Sequence, residues 1–153
     1  VNGLVIAVLL SMAPLTELRA GIPVGIAAGY NPVLVFVLCY LANVAVLPVV
    51  FVFFEFIHRR FMHHDGYRSR FDRYMERTRR KVHPYVEKYG IPGFALFVAL
   101  PLPGTGAWTG MAAAWFLGMS RPKAFAAVAV GVFAAGLLVM GVTLGGFRLL
   151  SII

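Results

Sequence analysis

The chain has 153 residues, 60% of them hydrophobic and only 13% charged, with a net charge of +8 and a mean hydropathy of +0.82. A soluble domain carries about a quarter charged residues. This composition excludes an ordinary soluble enzyme, a disordered chain and a disulfide scaffold, and indicates an all-α, multi-pass integral membrane protein. The lone Cys39 lies in an apolar run and rules out an intramolecular disulfide.

The charge is concentrated in one place. Residues 58–88 hold ten of the fourteen Lys/Arg, four of the six acids and all four His. The chain therefore reads as two apolar halves around a basic insert, which the positive-inside rule places in the cytoplasm of a plasma-membrane protein.

In chain order, residues 1–30 come first. They start on Val1 rather than Met, so a processed or trimmed N-terminus is expected, and residues 1–10 lack the basic flank and small-residue site of a signal peptide. Residues 1–14 and 22–30 are each too short to span, and a polar turn at 16–21 separates them. They are expected to form a re-entrant helical hairpin, with Pro14 and Pro23 flanking the turn. Asn31-Pro32 marks a break, and residues 32–57 form the first span, completing a first repeat over 1–57.

In the insert, Tyr67, Phe71, Tyr74, Thr78, Val82, Tyr85 and Tyr89 form one stripe at i+3/i+4 spacing. That pattern predicts an amphipathic interfacial helix. Arg59, Arg60, Arg73, Arg77, Arg79, Arg80 and Lys81 would face solvent or anionic lipid head groups rather than nucleic acid. The spacing of His58, His63, His64 and Asp65 fits no standard metal site, and no metal or other cofactor is expected.

The second repeat, 89–153, follows the same order: a hairpin over 91–118 and a span over 122–147. Its turn is Pro101-Leu102-Pro103-Gly104-Thr105-Gly106. Prolines and glycines there leave main-chain groups that lipid cannot satisfy, so the turn must be buried in protein or line a wet cavity. Pro14 and Pro101, Gly29 and Gly118, and Pro32 and Pro122 correspond at separations of 87, 89 and 90 residues. Repeats with broken helices are a transporter signature. Re-entrant hairpins place Arg121 and Lys123 on the side of the insert, whereas a plain four-span bundle places them opposite; the repeats then come out inverted.

Glu17-Leu18-Arg19 is the main chemical signal. A carboxylate at the bilayer centre is a proton or cation acceptor, and a guanidinium is an anion clamp. In a four-span bundle the same pair would lie in a solvent loop and do nothing. Residues 101–110 supply amides, the hydroxyls of Thr105 and Thr109, and the Trp108 indole, with Gly104 and Gly106 permitting close backbone approach; a kinked, packed turn is the plainer reading. Asn43 is read as a bond across to a hairpin, and Glu55 as solvated or paired with Arg59. Small residues including Gly131, Gly136, Gly141 and Gly145 suit close helix packing. No nucleophile–base pair or carboxylate pair appears, so the chain is not read as an enzyme.

Glu17-Leu18-Arg19-Ala20-Gly21-Ile22-Pro23 and residues 101–110 resemble the putative small multidrug export protein family, and more distantly the DedA (SNARE-associated, VTT-domain) membrane proteins. The resemblance implies inverted repeats of re-entrant hairpins and an activity in moving lipids across bilayers. It maps the acidic residue of the first DedA hairpin onto Glu17. DedA proteins carry arginines around the second hairpin turn, whereas this chain has none between Lys88 and Arg121. The reading is a lipid flippase or scramblase with a polar midplane site. The alternatives are a proton-coupled exporter of cations and a non-transporting scaffold. Two spans are few to shield two polar hairpins, so a homodimer is expected.

Overall fold

The computed structural model describes residues 2–100 and 105–151, except for the side chains of residues 67, 71, 74, 75, 78, 79 and 81–87. Six helices account for the secondary structure of the described residues: α1 (Gly3–Met12), α2 (Glu17–Ala27), α3 (Pro32–Phe61), α4 (Asp65–Ala99), α5 (Ala107–Phe116) and α6 (Arg121–Leu150). At about 1.5 Å per residue, the 30-residue helices α3 and α6 run about 45 Å, long enough to cross a bilayer, while α1, α2 and α5 run about 15 Å, half of one.

The long helices are apolar beyond what the protein interior uses. Only 39% of the most hydropathic window of α3, and 33% of that of α6, is buried. A soluble core helix would bury most of it. The remainder, including Val33, Leu41, Val49, Val130 and Val142, is exposed, which fits a protein whose outer faces meet lipid.

Glycines set the helix approaches. With lipid as solvent, apolar faces gain little by leaving it, and close backbone packing does more of the work. Antiparallel α1 and α2 meet where Gly3 faces Ala28 and where Gly25 faces Ala7. Gly21 lies so close to Ser11 and the Ala7 carbonyl that a Cβ there would overlap both. Across the molecule, a Cβ on Gly131 would lie 2.6 Å from the Ala95 carbonyl and the Val98 side chain, and one on Gly136 would lie 2.8 Å from the Phe36 ring. Gly141 and Gly145, also expected to pack closely, face open space instead. They fall in the last third of α6, beyond the buried stretch that ends at Gly136.

The two halves share local geometry. Gly29 (φ +85°) and Gly118 (φ +70°) close α2 and α5 in the left-handed conformation that glycine adopts without strain. Each turn makes the same two bonds: Gly29 to Ile26 and Tyr30 to Gly25, Gly118 to Trp115 and Met119 to Ala114. A long helix with proline in its first turn follows each turn. The packing is reciprocal as well, since α2 lies on α6 and α5 lies on α3. The hairpins differ, however. The arms of the first are in contact along their length, whereas α5 approaches α4 chiefly where Gly110 meets Val98.

Two boundaries differ from expectation. The first polar turn is Ala13–Thr16, not 16–21: α2 already starts at Glu17, and Pro23 lies inside it. The insert is not a separate helix. Its first residues finish α3, and α4 runs from Asp65 through a break at Gly90 (φ +49°) into the apolar stretch ending at Ala99. Most of the expected aromatic stripe, at Tyr67, Phe71, Tyr74, Thr78, Val82 and Tyr85, lies outside the described side chains; Tyr89 is exposed.

Candidate functional site

The tips of the two hairpins meet halfway along the long helices. In the first, Ser11 is bonded to Asn43, the twelfth residue of α3. In the second, Val98 packs on Gly131, the eleventh residue of α6. The opposite ends of the hairpins lie far apart. Tyr30 and Asn2 are hydrogen-bonded beside the start of α3. Trp115, near the end of α5, packs on Phe54 and His58 near the end of α3. Asn2 and Tyr30 thus lie beside the start of α3, and Trp115 beside its end.

A helix that ends in the interior leaves carbonyls without partners, and in lipid only protein can supply donors. At the α1 tip each donor comes from a different element. Thr16 Oγ1 donates to the Leu10 carbonyl at 2.7 Å, Asn43 Nδ2 to Ser11 at 2.7 Å, and the Trp108 indole to Met12 at 3.0 Å. At the α4 tip, Thr105 Oγ1 donates to the Leu100 carbonyl at 2.6 Å, and Arg19 Nη2 donates to the same carbonyl at 3.2 Å and to that of Thr105. Arg19 also donates to Thr105 Oγ1 at 2.9 Å. The arrangement is reciprocal. Thr16 and Thr105, 89 residues apart, each cap their own hairpin. Arg19 and Trp108, also 89 apart, each reach across to cap the other.

Glu17 sits at the centre of this junction, 7% exposed. Its Oε1 accepts the Trp108 main-chain N–H at 3.2 Å, so the carboxylate lies at the N-terminus of α5, where free N–H groups and the helix dipole favour an anion. Gly106, just before α5, has no side chain to cap it, and a Cβ there would overlap the Glu17 carboxylate. Among the described residues Glu17 alone combines a side chain with a positive φ, +50°. A left-handed non-glycine residue costs on the order of 1–2 kcal/mol, and such strain collects at functional sites and switches.

The expected site residues therefore divide. Glu17, Arg19, Thr105 and Trp108 come together. Thr109 does not join them: its hydroxyl accepts the Gly106 N–H at 2.9 Å and caps its own helix. Pro14 is at the first tip and exposed, whereas Pro23 lies inside α2. Pro101, Pro103 and Gly104 lie outside the described residues, as do the side chains of Arg79 and Lys81. Arg19, expected as an anion clamp, bonds the main-chain carbonyls of Leu100 and Thr105 and the Thr105 hydroxyl.

Asn43 was readable as a bond to a hairpin. Its Nδ2 makes that bond, while its buried Oδ1 has no hydrogen-bond partner among the described residues. Glu55 pairs with Arg59 at 3.0 Å, as the i,i+4 spacing predicts, and also with Arg121 at 2.5 Å. The second bond was not foreseen. It brings the end of α3 and the start of α6 to one end of the molecule, whereas a plain four-span bundle would separate them.

The family model described as "Putative small multi-drug export protein" matches residues 17–138, or 122 of the 153 residues. The chain belongs to that family. It is a helical membrane protein of the small multidrug export family, and the match opens on Glu17, the residue at the centre of the junction. No curated protein and no solved structure matches the chain.

Proposed function

We propose that this family member moves an amphiphile, in first place a lipid, between the leaflets of the plasma membrane, with the cytoplasm on the side of residues 58–88. The observation that carries the reading is the polar junction of Glu17, Arg19, Thr105 and Trp108 at mid-height, with an apolar rim open to the outside. Met12 and Leu100 beside it are 40% and 44% exposed, and Leu15 at the first tip is 96% exposed. In a bilayer that rim faces acyl chains. A substrate enters sideways, its head group exchanging for the bonds that tie the tips together while its tails stay in lipid.

The two hairpins act as re-entrant elements of an inverted repeat, as in DedA-type proteins. The shared turns at Gly29 and Gly118 and the contact between Glu55 and Arg121 support that topology. The bonds of Arg19 and Trp108 across the junction hold it closed, and parting the tips exposes the guanidinium, the Glu17 carboxylate and the carbonyls of Met12 and Leu100. A scramblase needs no more than this. A coupled flippase also has Glu17 exchange a proton with the ligand.

The family description favours a second reading, export of cationic amphiphiles against protons. One observation supports it: the Glu17 carboxylate accepts a neutral main-chain N–H, while Arg19 donates to the carbonyls of Leu100 and Thr105 and to the Thr105 hydroxyl. The test is reconstitution in liposomes. Lipid translocation predicts faster loss of outer-leaflet label than in empty vesicles, slowed by Glu17→Gln and by Arg19→Ala in protein that remains folded. No acceleration, with or without a pH gradient, removes the lipid reading. Uptake of a cationic dye driven by a proton gradient and abolished by Glu17→Gln establishes the exporter instead.

A further inference from the structure

A second polar cluster lies away from the junction, where α3 ends and α6 begins. Its carboxylate, Glu55, accepts Arg59 through Oε1 and Arg121 through Oε2. One acid thus holds two guanidiniums side by side, and the trio keeps a net positive charge. The Arg121 guanidinium also lies over the Phe51 ring, 5.2 Å from its centroid. Arg121 is the first residue of α6, whose unpaired N–H groups add to the positive field.

Beside the trio is a cleft of about 250 Å³ lined by Val52, Glu55, Phe56, Arg59 and Arg121. The Arg59 and Arg121 side chains are 77% and 61% exposed, while that of Glu55 is only 25% exposed. Each arginine has five N–H donors and uses one of its terminal nitrogens on Glu55, so the rest of each fork remains open to an incoming acceptor. Val52 and Phe56, 59% and 67% exposed, form the apolar part of the wall. In the membrane reading this cleft opens at the cytoplasmic interface, with its arginines at head-group height and its apolar wall along the first acyl carbons.

We propose that this cleft binds the phosphate of an anionic phospholipid, with the phosphodiester against Arg59 and Arg121 and an acyl chain along Val52 and Phe56. Two planar forks suit two phosphate oxygens better than scattered point charges do, and basic pockets between helices on the cytoplasmic side hold anionic head groups. Glu55 is a positioning residue here: it holds the forks together, and its own charge disfavours a second anion. The site rests on the membrane reading and is independent of whether the junction transports anything.

The test is native mass spectrometry of the full chain in detergent, titrated with phosphatidylglycerol or phosphatidylcholine. The expected result is one retained phosphatidylglycerol per chain that phosphatidylcholine does not displace. Binding should fall about tenfold or more in the Arg59→Gln/Arg121→Gln variant. It should be kept in Arg68→Gln/Arg70→Gln, which removes the same charge from exposed positions of α4. If the first variant fails to fold, Phe56→Glu, at an exposed position, puts a second carboxylate in the cleft and is expected to lose the lipid too. Retention in whichever of these cleft variants folds overturns the proposal, as does equal loss in the α4 control. Displacement by inorganic phosphate alone identifies a free-phosphate site and overturns the lipid assignment.

Discussion

Gly106→Ala isolates the contact on which the junction depends. The φ of Gly106 is −167°, an extended conformation open to any residue, so alanine brings no backbone strain and its whole effect is steric. The added methyl would overlap the Glu17 carboxylate. Pushing the carboxylate aside sacrifices its bond from the Trp108 N–H, a charge-assisted bond of about 1.5–3 kcal/mol. If the carboxylate stays, overpacking costs about 1–3 kcal/mol. Since one response relieves the other, a total of about 2–3 kcal/mol is expected, a fall in melting temperature on the order of 5–10 °C for a chain of this size. Thermal unfolding in lipid nanodiscs measures it, with Gly66→Ala as control, because nothing lies within 4 Å of a Cβ at Gly66. The decisive comparison is with Glu17→Ala, which removes the obstructing group. In that background Gly106→Ala should cost almost nothing, a coupling of about 2 kcal/mol. Equal destabilisation by Gly106→Ala with and without Glu17 would refute the contact.

Trp108→Phe keeps the ring and removes the indole donor to Met12. It should cost about 1–3 kcal/mol, the penalty for a carbonyl left unpaired away from water, read as a lower melting temperature in nanodiscs. An unchanged melting temperature would mean that water reaches the tip. Gly29→Ala and Gly118→Ala should each lose about 1 kcal/mol from the left-handed turns. Similar losses at both sites are the signature of a repeated turn, and a loss at only one would argue against it. Gly21→Val should separate α1 from α2, since a side chain there overlaps Ser11 and the Ala7 carbonyl. Limited proteolysis should then cut near Ala13–Thr16, and a cleavage pattern unchanged from wild type would show that the helices tolerate the added bulk.

Much of this arrangement was legible in the residues. The all-helical build and the two long apolar helices followed from the length of the uncharged runs, and the short arms of α1 and α2 from the polar interruption between them. Gly29 and Gly118 stood out only as a pair 89 residues apart; that both close a helix in the left-handed conformation came from the structure. The position of the first turn was not legible. Glu17 and Arg19 read as a polar loop, yet they fall in the first turn of α2, where one carboxylate can serve the N-terminus of α5. Pro23 read as a boundary, whereas a proline inside a membrane helix is tolerated when neighbouring groups pair the freed carbonyl. Arg19 read as a ligand clamp because its residue type suggests anions. Its bonds meet a demand that appears only once α4 ends halfway along α6, namely donors for the carbonyls of Leu100 and Thr105. The bond from Arg121 to Glu55 joins residues 66 apart in sequence, and no local pattern foretells it.

The depth of Leu15 in a bilayer tests the central claim most directly. A nitroxide placed there in a Cys39→Ala background reports its depth from its relative accessibility to oxygen and to a water-soluble relaxant. If the hairpin tips meet at mid-height, the label lies near the bilayer centre, rich in oxygen and shielded from the aqueous reagent, while one at Asn2 lies at the surface. A Leu15 label as accessible to the aqueous reagent as the one at Asn2 would contradict the account.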